Sequence, residues 1–182
     1  MAYASWSVVF GEQPSTAKWN ILGANDASFA NGTGIANMAV STTAISNPYK
    51  FSAYRAAAWT TSSSFALVQF DTENFDTNNN FDVTTNKGRY TAPVAGFYLF
   101  SACTGNSTAT GIQSIAIYKN GVKKQQGQNV NVGAASTLST VTALVQCAAS
   151  DYVEIYNLGG GGSTGYTGQD LCWFTGFLVS QT

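Results

Sequence analysis

The chain has 182 residues, of which 9% are charged and 45% hydrophobic; its formal net charge is −1 and it has no histidine. Soluble globular chains carry roughly 25% charged residues, so this surface is wetted by Ser, Thr, Asn and Gly instead. The missing histidine excludes Ser-His-Asp and Cys-His machinery and argues against zinc, and the absence of a basic patch leaves nucleic acid no electrostatic footprint.

The N-terminus, residues 1–11, lacks the charged start and apolar centre of a secretory signal. Residues 5–10 (SWSVVF) read as a short strand. Ser15 is a plausible N-cap for a short helix that lines up Trp19, Leu22 and Phe29. Asn31-Gly32-Thr33-Gly34 ends it with turn chemistry, and residues 36–48 read as a linker. The expected organisation is therefore an N-terminal segment over 1–47 and a β domain over 48–182. Strands are expected at 51–59, 65–70, 89–92, 97–103, 112–118, 125–132, 137–147, 151–158 and 172–179, with a hairpin turn at Lys119-Asn120-Gly121. About ten short antiparallel strands closed by turn residues predict an all-β sandwich or jelly roll. No run of about 18 apolar residues exists to span a membrane.

Strand 97–103 is apolar on both sides. Alternation places Tyr98 and Phe100 on one face and Phe97 and Leu99 on the other. The closing strand repeats this with Trp173, Phe174, Phe177 and Leu178. A strand apolar on both faces needs cover on both. One face packs in the sandwich; the other needs a neighbouring subunit or an added element.

The spacing of Phe70, Asp76 and Phe81, continued by Tyr90, Gly96, Tyr98 and Phe100, resembles the aromatic signature of the C1q-like domain of the tumour-necrosis-factor-like superfamily. Residues 117–121 (IYKNG), 151–155 (DYVEI) and 174–178 (FTGFL) resemble three further motifs of that family. The gap from Phe81 to Tyr90 is two residues longer than the family pattern, Tyr90 stands where Phe is usual, and Ala102 where an aromatic is usual. The resemblance spans about residues 48–182. It implies a C1q/TNF-like jelly roll and a homotrimer, with Phe97, Tyr98, Leu99, Phe100, Phe174 and Phe177 expected in the subunit core or the trimer contact. Residues 11–35 resemble leader segments of phage fibre and tail proteins.

Some C1q-like trimers bind calcium through loop oxygens. Asp71, Glu73 and Asp76 lie in an Asp- and Asn-rich run that reads either as such a site or as a polar surface turn. Tyr166, after a tetraglycine, reads either as an aromatic presented to a sugar or protein or as part of a floppy tip. Of Cys103, Cys147 and Cys172, at most one pair can bridge, and Cys147–Cys172 would do so only if their strands adjoin.

With nine acidic and eight basic residues and no histidine, no enzyme is expected. The expected function is a homotrimeric binding module of a virion, fibre or decoration type, mounted through residues 1–47 and recognising a host surface glycan or protein. The alternative is a purely structural subunit of a bacterial surface or extracellular assembly. The expected location is the virion or an extracellular surface, with no cofactor required.

Overall fold

A computed structural model describes residues 47–182; the strand and helix expected within 1–47 lie outside the described residues. The described chain is all β, in eleven strands: β1 (Lys50–Tyr54), β2 (Trp59–Thr60), β3 (Ala66–Leu67), β4 (Thr72–Asp76), β5 (Phe81–Asp82), β6 (Arg89–Thr91), β7 (Gly96–Lys119), β8 (Val122–Cys147), β9 (Tyr152–Gly159), β10 (Thr164–Gly165) and β11 (Trp173–Gln181). All their pairings are antiparallel.

The architecture follows from β7 and β8. They pair with each other from Gly96↔Cys147 to Lys119↔Val122. The first part of β7, Gly96 to Cys103, takes β11 as its other neighbour. The last part, Gln113 to Lys119, takes β9. The β7–β8 ribbon thus passes from one sheet of a sandwich into the other. The first sheet runs β4-β1-β11-β7-β8, and the second runs β8-β7-β9-β6-β5, with β3 also paired to β9. The ribbon turns at Asn120 and Gly121, both at positive φ (51° and 73°), as a two-residue hairpin loop requires for its twist to match the strands.

Each of these long strands was expected as two. The link residues 104–111 (TGNSTATG) and 133–136 (GAAS) are small, and apolar alternation lapses there, yet backbone pairing continues across them with shifts of register. Conversely, the strand expected over 51–59 stops at Tyr54, and that over 65–70 is reduced to Ala66–Leu67. At the first of these breaks the Asp71 carboxylate accepts hydrogen bonds from the backbone N–H groups of Ala56 (2.7 Å) and Ala57 (3.2 Å), which closes a loop instead.

The family-like aromatic spacing is a packing pattern. Phe51, Phe70, Phe81, Tyr90, Tyr98, Phe100 and Phe174 are all buried between the sheets. Phe51 stacks on Phe81 (4.8 Å between centroids) and Tyr90 (4.6 Å) and meets Phe174 edge-on at 4.9 Å. Such pairs add about 0.5–1.5 kcal/mol beyond the area they bury. Asp76 is the polar member of the pattern because its carboxylate accepts from the N–H groups of Asn78 (3.2 Å) and Phe81 (2.7 Å). It shapes the turn that brings Phe81 inward.

Tyr90 departs from the usual Phe at a cost. Its ring is 1% exposed and its hydroxyl has no hydrogen-bond partner; burial pushes its pKa far up. A buried unpartnered hydroxyl costs about 1–3 kcal/mol. Tyr90→Phe is therefore expected to stabilise the domain, by about 1 kcal/mol in urea unfolding; a loss of stability would show that the hydroxyl is satisfied in solution.

Candidate functional site

Alternation in the first sheet sends Tyr98, Phe100, Phe174 and Leu178 into the sandwich. It sends their neighbours out. Phe177 on β11 pairs with Leu99 on β7, and Leu99 pairs with Leu144 on β8. The three side chains form one row across three strands of the outer face. Leu144 is 57% exposed, Phe177 42% and Val179 53%; Phe97 and Leu99 are half-buried. The next row is polar: Ser101 and Thr142 share a 2.8 Å hydroxyl hydrogen bond, and the Thr175 hydroxyl donates to Phe51 O at 2.7 Å. An in-register apolar row on a hydrogen-bonded sheet is a surface made for contact.

Of the six residues expected in the subunit core or the trimer contact, the structure places Tyr98, Phe100 and Phe174 in the subunit's own core. It places Phe97, Leu99 and Phe177 on the outer face. Leu144, Val179 and the 39% exposed Leu138 were missed, although Leu144 beside Val145 carries the same two-sided signal as Phe97 beside Tyr98.

Farther along β8 on that face, Leu138 borders a cleft of about 410 Å³ with Ser136, Thr137, Tyr166 and Leu171. Tyr166 is held rather than free. Its N–H donates to Gly105 O at 2.8 Å, and its carbonyl accepts from the Trp59 indole N–H at 2.8 Å.

The carboxylates expected to bind calcium do not converge. Burial alone would raise the Asp71 carboxyl, but the two backbone donors and Arg55, 3.1 Å away, outweigh it and hold it below its usual value. Asp76 faces its own turn. Glu73 is raised by burial and by the nearby charges of Asp76 and Asp82. Among the described residues no three acidic, histidine or cysteine side chains are placed to hold a metal, so the set Asp71, Glu73, Asp76 does not assemble. Loop closure at Asp71 and turn capping at Asp76 have taken two of its members.

Cys103, Cys147 and Cys172 are all buried free thiols. Cys147 sits opposite Gly96, whereas Cys172 precedes Trp173, which sits opposite Cys103. Those two places on β7 are seven residues apart, about 23 Å at strand rise, so Cys147 and Cys172 cannot pair. Burial pushes the Cys147 thiol up to about 11 and Cys172 up to about 12, which makes both inert as nucleophiles.

The KNG turn and the start of β9 are locked by one carboxylate. Asp151 accepts from Lys119 Nζ (2.8 Å), Asn120 Nδ2 (2.6 Å) and Ala148 N (2.8 Å). Lys119 and Asn120 are the main causes that lower its pKa to about 2. A depressed carboxyl stabilises the fold fully above its ordinary value of 3.8 and loses that contribution as pH falls towards about 2. Stability is expected to fall across this window more steeply in the native protein than in Asp151→Asn, as read by thermal melts between pH 5 and 2; equal slopes would dissociate Asp151 from the acid response.

A two-sheet antiparallel sandwich with this strand order is a jelly roll of the C1q and tumour-necrosis-factor type. Residues 50–179 match the C1q domain, and the chain belongs to the C1q domain family. Among solved structures it is similar to the globular domain of zebrafish complement 1qA protein, with 18% identity over 74% of this chain and 99% of that one, at a TM-score of 0.57. It is also similar to murine APRIL at pH 5.0, with 6% identity, 71% and 98% coverage and a TM-score of 0.59. Eiger TNF from S. frugiperda gives 8% identity, 74% and 94% coverage and a TM-score of 0.54. No curated protein sequence matches the chain. Domains of this family are typically non-enzymatic binding or structural modules.

Proposed function

We propose that the chain is a homotrimeric binding module whose three copies close over the outer face of the first sheet. The observation that carries this reading is the exposed row Leu144–Leu99–Phe177 with Val179 beside it. A second copy is the occupant that family membership favours, since C1q and TNF-like domains are generally trimeric. Threefold closure buries the same patch on every subunit and leaves no copy with an open face. Light scattering on the purified chain tests it: the expected mass is about three times the 19.1 kDa of one chain, and a mass of one chain overturns it.

In this reading residues 1–47 mount the trimer on a virion or comparable particle, which rests on their resemblance to fibre leaders and on the charge-poor composition. The jelly roll then meets a host surface glycan or protein, and three weak sites act together through avidity. Binding of the trimer to a glycan array or to host cells supports recognition; a trimer that binds neither, while assembling into particles, would be a structural subunit instead.

A further inference from the structure

Where the β7–β8 ribbon leaves the first sheet, the inside of the sandwich changes character. Elsewhere the inward positions hold aromatic and aliphatic side chains. Here they hold Thr104, Asn106, Gln113, Ser139 and, from β9, Asn157, each no more than 1% exposed.

These residues adjoin. Ser139 faces Thr104 across the ribbon, and Gln113 faces Gly159 across β7 and β9. Asn157 donates from Nδ2 to the Thr104 hydroxyl (2.9 Å) and Ser114 O (3.4 Å). Asn106 donates from Nδ2 to Gly159 O (2.9 Å) and Thr61 Oγ1 (3.4 Å), while the Thr61 hydroxyl donates to Gly159 O at 2.7 Å. Both asparagines therefore use their donors on protein. Their acceptors, Asn106 Oδ1 and Asn157 Oδ1, have no protein partner, nor do both ends of Gln113 and the Ser139 hydroxyl. Five of the six buried unpartnered side-chain atoms of the described chain gather in this one place.

Buried polar atoms are paired with protein or with ordered water in nearly all folded proteins, and each one left unpaired is costly. Three amide carbonyls, one amide donor and one hydroxyl ask for an occupant that both donates and accepts. The set carries no charge, so an ion would be buried without a counter-charge. Its inaccessibility limits the occupant to something very small. We propose that Asn106, Gln113, Ser139 and Asn157 form a closed internal hydration site, in which a cluster of ordered water molecules bridges the two sheets at the crossing of the ribbon.

Crystals of the full chain grown in sodium salt and in thallium(I) salt test this. The expected result is density for water at hydrogen-bond distance from Asn106 Oδ1, Gln113 Oε1 and Asn157 Oδ1, with no anomalous peak in thallium. An anomalous peak would make the site a monovalent-cation cage and overturn the proposal. So would amides that bond directly to one another with no density between them. In solution, oxygen-17 relaxation dispersion is expected to detect slowly exchanging water in the native chain, with loss of that signal and a lowered Tm in Gln113→Leu. A raised Tm in Gln113→Leu would show a dry, strained site. The diffraction result on the native chain decides the matter even if the variant does not fold.

Discussion

Leu144→Arg and Phe177→Arg are expected to leave the jelly roll folded and convert the proposed trimer to monomers. Both side chains point away from the sandwich, at 57% and 42% exposure, so the subunit core does not register their replacement. The assembly does. Covering a Leu or Phe contributes about 2 kcal/mol, and the loss recurs at each of three interfaces. About 6 kcal/mol shifts the equilibrium roughly 10⁴-fold towards monomer, before the cost of burying a guanidinium is added. Light scattering and circular dichroism on each variant read the two effects separately. A variant that stays trimeric with a native spectrum would exclude the Leu144–Leu99–Phe177 row from the interface.

Gly176→Val is expected to act in the opposite place and to destroy the fold. Gly176 lies on β11 opposite Phe100. A Cβ there would stand 2.5 Å from Phe100 Cδ1 and 2.9 Å from Phe51 Cε1. Both rings are fully buried and stacked among five other aromatics, so neither has room to withdraw. Overpacking a dense core costs typically 1–3 kcal/mol and sometimes more. A branched side chain driven between two rings belongs at the upper end, against a total stability of about 5–15 kcal/mol. Gly176→Ala should be milder, and Phe100→Leu should partly rescue it, because each would be relieving the same collision. Urea melts of the two singles and the double measure this. Strict additivity would show that the glycine serves something other than the Phe100 ring.

How far the sequence alone reached can be seen at these same residues. The alternation in 97–103 was enough to sort Tyr98 and Phe100 from Phe97 and Leu99, because strand geometry gives side chains only two directions. The aromatic spacing from Phe70 to Phe100 was enough to name the family, because one core requires it. The continuity of β7 and β8 was not legible. Residues such as Thr104 and Asn106 look like loop, and only the partner strand shows that their backbone remains paired. The acidic run at 71–82 stayed open between two readings for a related reason: carboxylates that close turns and carboxylates that hold calcium have the same composition, and only the direction of each hydrogen bond separates them. Strand β4 was hidden within that run.

β1 lies between β4 and β11, and the Thr175 hydroxyl of β11 reaches Phe51 O across 124 residues of chain. During synthesis at about 5–20 residues per second, β1 can pair early with β4 but emerges roughly 6–25 s before its other partner, β11, exists. The local β7–β8 hairpin can form in the meantime, but the sheet that carries the outer apolar row stays open until β11 has been made. Nascent chains crowded on one message thus expose unpaired, greasy strands to each other in that interval, when premature association between copies would trap them before any subunit is complete.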